Sequence, residues 1–448
     1  MGFIDLVLGP VFFILIYLWA KSTSDKFNDV FLKKHFVNGL IFKLVGAIGA
    51  SIVYWYVYGG GDSINYFNRS LRGHQILSQD FSAGIKLLIF GVNENDYTSY
   101  MYANSLQAQE LSSFMVVRIL TFINIFTFDS YLSSSFIFAL LSFYGIWKAF
   151  RLFIELYPNY SDKIAIAFLY VPSVIFWGSG IFKDNITFGF LCLLTVALYN
   201  ITIRGRKIIS SILVVIASIY VIGIIKSYIL MAFLPSFGIW LFLEYRKKIT
   251  SSVLRTASTP FFIGLSLIAG VFMLQTLGKT FSKFSVENVE EKAAGMQRWH
   301  TKRGVMKGEE GSGSSSYSLG DGVDFTPVGI ARKAPLAIIV AIYRPFLWEV
   351  RNPIMLLSAF ESLALLFFTL KLLPFFLRSP GRTLSILGDN PPLVFSIVFS
   401  LIFAFSVGFT SYNFGALSRY RIPFLPFYFV FISILYEKLV VANQIIKK

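Results

Sequence analysis

The stretch NGLIFKLVGAIGASIVYWYVYGGGDSINYFNRS, Asn38–Ser70, joins an apolar run to a glycine turn and an acid. Its first part, 38–58, has the length and character of a helix that crosses a bilayer, for which about 20 apolar residues suffice. Three glycines, Gly59 to Gly61, then carry the chain out and deliver the carboxylate of Asp62. Two readings stand. Asp62 is a solvated turn residue that closes a spanning helix, or the turn holds a carboxylate at the mouth of an active site.

Apolar runs of this kind recur along the whole chain. The 448 residues are 55% hydrophobic and only 14% charged, with mean hydropathy +0.66. Soluble domains carry about a quarter charged residues. The sequence therefore predicts an all-α fold, a polytopic transmembrane helix bundle forming one integral membrane domain over 1–448, with no room for a separate soluble domain. The N-terminal run lacks a basic region and a small-residue cleavage site, so it reads as a retained first helix. The one cysteine, Cys192, lies inside an apolar run, and His35, His74 and His300 are scattered, which disfavours a disulfide framework or a His/Cys metal centre.

Eleven spanning segments are expected, at 3–20, 38–58, 131–150, 164–179, 186–202, 209–225, 228–244, 259–276, 354–376, 392–410 and 424–441. The net charge of +16 does not imply a nucleic-acid partner. Much of the basic excess sits in short clusters beside apolar runs, among them RGRK, YRKK and the final KK, which is the positive-inside pattern. With Lys21 to Lys34 inside, the N-terminus is outside, Asp62 is outside and the C-terminus is cytoplasmic, as in the inner (plasma) membrane of a bacterium. Phe114–Phe128 is apolar enough to span, but counting it would place Lys148, Arg204, Arg206, Lys207 and the Arg246–Lys248 cluster outside. The charge pattern favours a helix lying in the interface, with Arg118 toward water.

Two long extracytoplasmic loops result. The first, 59–130, carries apolar patches suited to in-plane helices. The second, 277–353, has a Gly/Ser-rich and flexible middle near 304–322, and it ends in APLAIIVAIYRPFLWEVRNP, read as a second interfacial helix.

Charge at membrane depth is costly, so the informative charges are those that break the inside pattern. These are Asp62, Arg69, Arg72, Lys183, Asp184, Lys226, Arg344, Glu349, Arg351, Arg419 and Arg421, which the topology puts on one face. Lys183 and Asp184 follow the break Gly178-Ser179-Gly180. They either cap a tight hairpin by pairing with each other, or reach and orient a phosphate. Lys226 either snorkels to the interface or faces the bundle interior as a second cation. Arg344, Trp348, Glu349 and Arg351 form an internal ion pair, or an aromatic beside arginines stacks on a sugar ring or holds a diphosphate. In MQRWHTKR, Arg298, Trp299 and His300 belong to a solvated loop or touch a substrate. Arg419 and Arg421 flank Tyr420 ahead of Pro423 and Pro426, either as an interfacial anchor or as guanidinium forks matched to phosphate.

This layout resembles the GT-C class of membrane glycosyltransferases, many-helix enzymes that use polyprenyl-phosphate-linked sugars on the outer membrane face. The resemblance implies that Asp62, in GGGDSINYF with Tyr66 and Phe67 behind it, is the catalytic or acceptor-activating carboxylate of the first outer loop. SRYRIPFLPF resembles the R-x-x-x-P-x-x-P endings of several such enzymes, with Arg419, Pro423 and Pro426 at the matching positions. Two features depart from the class pattern: an additional spanning segment precedes the helix leading to Asp62, and Ser63 stands where many members carry a second acid.

The resemblance implies a polyprenyl-phosphate sugar donor, a glycan or lipid acceptor of the cell envelope, and contact with membrane lipids. A carboxylate base would take the acceptor proton, and Lys183, Lys226, Arg419 and Arg421 would stabilise the departing phosphate. A divalent cation on Asp62 could share that task; no metal ligand set is assigned. Two other functions fit the layout. A Wzy-like polysaccharide polymerase or O-antigen ligase would use Arg298, Arg344 and Arg351 of the second loop. A transporter or flippase of an anionic lipid-linked substrate would need broken helices near mid-membrane, for which Gly178-Ser179-Gly180 is the best candidate.

Overall fold

The computed structural model describes residues 1–91, 110–251, 317, 319 and 327–446. Among them the secondary structure is helical, and nine helices are long and apolar enough to cross a membrane. Two compact units divide the chain: residues 1–159 with 168–226, and residues 160–167 with 227–448.

The first unit contains α1 (Phe3–Ser24), α2 (Val30–Ile52), α3 (Asp62–Gln79), α4 (Phe81–Phe90), α5 (Leu111–Thr127) and α6 (Tyr131–Leu156), followed by α8 (Pro172–Phe176), α9 (Lys183–Tyr199) and α10 (Ile208–Lys226). The second contains the short α7 (Ser161–Ala165), α11 (Tyr228–Arg246), α12 (Pro327–Tyr343), α13 (Pro353–Arg378), α14 (Pro380–Asp389), α15 (Pro391–Thr410), α16 (Phe414–Tyr420) and α17 (Leu425–Ile446). Helix starts follow local chemistry. Side chains of Asp29, Asp80, Ser130, Asn352 and Asn413 accept backbone N–H groups of the first turns of α2, α4, α6, α13 and α16. Proline opens α8, α13, α14 and α15, where its missing N–H costs nothing.

Nine of the eleven expected spans are present as long apolar helices. The stretch 259–276 lies outside the described residues. The expected span 164–179 is corrected: it is not one helix. α7 runs on as a wider π turn over Ile166–Tyr170, the backbone opens at Val171 (φ −64°, ψ 124°), and α8 covers five residues before the chain leaves the helix at Trp177. The cause is Pro172, which pushes the preceding residue out of the helical region and supplies no N–H.

α6 and α9 approach closely in the first unit. A Cβ placed on Gly145 would stand 2.1 Å from the carbonyl oxygen of Gly189, and one on Gly189 would stand 2.7 Å from Cα of Ser142. Without a hydrophobic drive between helices in lipid, such small-residue contacts let backbones approach and dispersion do the work. Gly46 of α2 sits equally close to the Ile175 carbonyl of α8, and in the second unit Gly408 of α15 packs on the Ala337 carbonyl of α12. A polar seam ties α3, α5 and α6 together: Asn124 donates to Ser70 (2.8 Å) and accepts from Ser134 (2.9 Å), while Ser63 and Tyr131 share a hydrogen bond of 2.7 Å. Buried Asp5 accepts from the Ser130 hydroxyl (2.9 Å) and the Leu132 N–H (3.0 Å), fixing α1 to the start of α6. α5 packs on α3, α6 and α10 with most of its residues buried, and the Arg118 guanidinium lies 4.5 Å from the centroid of the Phe114 ring.

Replacing Gly189 by leucine is expected to cost about 3 kcal/mol or more, read as a lowered thermal midpoint of the detergent-purified protein. Gly238→Ala, inside α11 where a Cβ meets nothing within 4 Å, should not lower the midpoint and should raise it slightly, since alanine favours a helix interior by about 0.5–1 kcal/mol over glycine.

Candidate functional site

The glycine run behind α2 does more than end a helix. The helix closes in a π turn over Val53–Val57. Gly59, Gly60 and Gly61 then all take positive φ, at 62°, 158° and 118°. A Cβ on Gly61 would both strain that backbone and press on the Tyr54 ring at 2.9 Å. The turn sets Asp62 as the first residue of α3, exposed, where the positive end of the helix dipole favours a carboxylate. Asp62 thus belongs to a second helix rather than to a solvated exit loop.

Lys183 opens α9 with its side chain 18% exposed. Its ammonium donates to Glu110 Oε1 (3.3 Å) and Ser112 (3.0 Å) and stands 5.8 Å from the Tyr66 ring centroid. Asp62 and Lys226 both lie within its electrostatic reach. Burial pushes the Glu110 carboxyl up, but Lys183 and the hydroxyls of Ser112 and Ser113 outweigh this and hold it below the ordinary glutamate value. The stabilisation from this pairing is therefore fully present above the ordinary value and is lost as pH falls through the depressed one.

Asp184, next in sequence, points the other way. It is fully buried and forms an ion pair with Lys226 at the end of α10. The expected pairing of Lys183 with Asp184 across a tight hairpin is thus replaced: successive side chains at a helix start diverge by about 100°, so each takes a partner from a different element. Lys226 faces inward, as one of its two readings required.

Sequence reasoning missed Lys43. It sits in the middle of α2, buried, donating to the Gly178 carbonyl with Asn185 Oδ1 at 3.5 Å; Asn185 in turn donates to the Gly180 carbonyl at 2.9 Å. The broken segment frees carbonyls that lipid cannot solvate, and these two side chains satisfy them. A lone lysine inside the 38–58 run was the available signal. His74 was also passed over as scattered. Its Nδ1 meets Asp129 Oδ1 at 2.8 Å in an open cleft of about 480 Å³, lined also by Gln75, Ser78 and Gln79. Asp129 and its neighbour Phe128 both hold left-handed backbone, φ 58° and 51°.

The remaining candidates belong to the second unit. Arg344 binds Glu349, with Nε at 3.0 Å from both carboxylate oxygens, and lies over the rings of Phe414 (5.1 Å) and Tyr317 (5.8 Å). Burial raises the Glu349 carboxyl, but Arg344 and the Phe346 N–H more than offset it, and the net direction is downward. This is the internal ion pair among the readings of YRPFLWEVRNP. Arg351 is exposed, and Trp348, 80% exposed, stacks on Phe346.

Arg419 is half-buried with its guanidinium 5.9 Å from the Tyr420 ring. Arg421 corrects the expectation of two forks presented at the bilayer surface. Its side chain is wholly buried and donates to Glu361 Oε1 (2.7 Å), the Ser362 hydroxyl (2.8 Å) and the carbonyls of Ser358 (3.2 Å) and Arg344 (3.3 Å). The reason lies in α13: a buried carboxylate in an apolar helix needs a cation, and Arg421 supplies it. Arg298, Trp299 and His300 lie outside the described residues.

Among the described residues no group of three or more His, Cys, Asp or Glu side chains is placed to hold a metal ion.

The fold defines an all-α polytopic membrane protein. Comparison of the chain with protein-family models, with curated proteins and with solved structures finds no match.

Removing one partner of the buried Asp184–Lys226 pair is expected to cost about 3–5 kcal/mol, since the other charge is left in an apolar core. Asp184→Leu and Lys226→Met should each lower the thermal midpoint strongly, while the double variant recovers most of the loss. Equal, additive losses would show that the two groups do not depend on each other.

Proposed function

We propose that the protein is a membrane glycosyltransferase that moves a sugar from a polyprenyl-phosphate donor to a cell-envelope glycan or lipid on the extracytoplasmic face of a bacterial inner membrane. One observation carries the reading: an exposed carboxylate, Asp62, held at the start of α3 by a three-glycine turn, within electrostatic reach of the Lys183 ammonium. A base with a cation within electrostatic reach of it is what this transfer requires. The acceptor hydroxyl oxygen attacks the anomeric carbon and its proton passes to Asp62. The bond from the anomeric carbon to the phosphate oxygen breaks, and the electron pair leaves with the phosphate, whose growing charge Lys183 stabilises. Asp184, next to Lys183 at the start of α9, pairs with Lys226 at the end of α10, and that buried pair fixes the helix start rather than meeting substrate. Arg344 and Arg421, each committed to an internal carboxylate, are given no catalytic part, which removes Arg344 from the three arginines, Arg298, Arg344 and Arg351, of the polymerase reading.

A second reading, a transporter or flippase of an anionic lipid-linked substrate, draws on the break at Val171–Phe182 with buried Lys43 against it. The two readings part in one experiment on the purified protein in liposomes with a polyprenyl-phosphate sugar. The transferase reading expects sugar transfer, with Asp62→Asn folded and reduced at least about 100-fold, the scale of a lost general base. Substrate translocation without any bond change, or full transfer by Asp62→Asn, would overturn it.

A further inference from the structure

The end of α6 and the end of α9 enclose a recess of about 180 Å³ whose wall is strongly cationic. Lys148, Arg151 and Glu155 come from α6. Asn200 and Arg204 come from the π turn that extends α9, and Lys207 follows on a left-handed turn (Gly205 φ 63°, Lys207 φ 53°). Four cations thus face one carboxylate. That carboxylate is committed: Glu155 pairs with Arg204, whose guanidinium also donates to Asn200 Oδ1 at 3.1 Å and lies 5.0 Å from the Tyr199 ring centroid. Lys148, Arg151 and Lys207 form no ion pair with a carboxylate among the described residues. Lys148 instead rests on Tyr144 (5.2 Å) and Arg151 on Phe27 (5.9 Å).

We infer that this recess binds the phosphate of an anionic phospholipid headgroup. A positive-inside cluster alone needs only exposed lysines in water. Here an already-held arginine and three cations without carboxylate partners converge on one concavity, the arrangement by which basic pockets between membrane helices take anionic headgroups. The face of α6 distinguishes a lipid from a free phosphate. Positions 141, 144, 148, 151 and 155 follow one another at three- and four-residue steps and so line one side of the helix. Leu141 and Tyr144 on that side are 48% and 56% exposed. The same stripe therefore offers an apolar track one turn from the cations, where an acyl chain lies while its phosphate meets Lys148 and Arg151. This site is independent of the transferase reading, and none of its residues is placed in that chemistry.

The test is binding of short-chain phospholipid to the full-length detergent-purified protein, followed by native mass spectrometry. Anionic lipid is compared with zwitterionic lipid of the same chains and with inorganic phosphate as competitor. The expected result is preference for the anionic lipid, lost by about thirtyfold in Lys148→Gln/Arg151→Gln, the scale of two surface cations. Leu141→Asn should weaken lipid binding without changing any charge. The control Lys33→Gln/Lys34→Gln removes two positive charges from the start of α2 and should bind as wild type. If the α6 double variant does not fold, as seen by size-exclusion chromatography, Lys207→Gln on the following turn reads the same recess, with an expected loss of about fivefold. Equal loss in the control would reduce the effect to general surface charge. No loss in any recess variant would overturn the site, and displacement of lipid by millimolar phosphate with no effect of Leu141→Asn would assign it to free phosphate instead.

Discussion

An ammonium and a carboxylate cannot sit in an apolar core alone, and this constraint governs the described structure. Lys226 meets Asp184, Arg421 meets Glu361, and Lys43 meets the carbonyl of a broken helix. Each charge joins segments far apart in the chain, by 42, 60 and 135 positions respectively. Because desolvating either member alone costs several kcal/mol, these contacts specify which helix ends come together, a task that uniform apolar surfaces perform poorly in lipid. Close backbone approach at Gly145 and Gly189, and at Gly408, supplies the packing around them.

The same constraint sorts structural from chemical charge. Asp184, Lys226, Arg421, Glu361 and Lys43 are buried and committed to partners. Asp62 is exposed at a helix start, and Lys183 stands at the edge of the protein interior with a partly exposed glutamate as partner. Groups of the second kind can exchange a protein partner for a substrate, whereas groups of the first kind cannot leave without unfolding their surroundings. That distinction is why the proposed chemistry rests on Asp62 and Lys183 and not on Asp184, Lys226 or Lys43.

Much of this was legible in the sequence, but unevenly. Nine spans follow directly from apolar length, and the helical nature of Leu111–Thr127 and Pro327–Tyr343 follows from their apolar character. The break at Val171 was readable from Pro172, yet the apolar composition of 164–179 outweighed it. α3 was hidden for a different reason: its apolar residues Ile64, Phe67 and Leu71 recur at helical spacing, but among many polar ones that resemble a loop. Partner choice was the least legible. Lys183 and Asp184 are adjacent, and nothing local tells that one turns to Glu110 and the other to Lys226. Arg421 read as a surface fork because Glu361, a lone acid inside the 354–376 run, was not set against it. Lone charges within apolar runs, Lys43 and Glu361 alike, are the sequence signal for such buried contacts.

The position of the phosphate decides the account most directly. A structure of the protein with a bound polyprenyl phosphate should place the phosphate oxygens within hydrogen-bonding distance of Lys183 Nζ, with Asp62 facing the carbon that would carry the sugar. A phosphate held by Arg351 or Arg419, with Lys183 still joined to Glu110 and Asp62 turned to water, would contradict it.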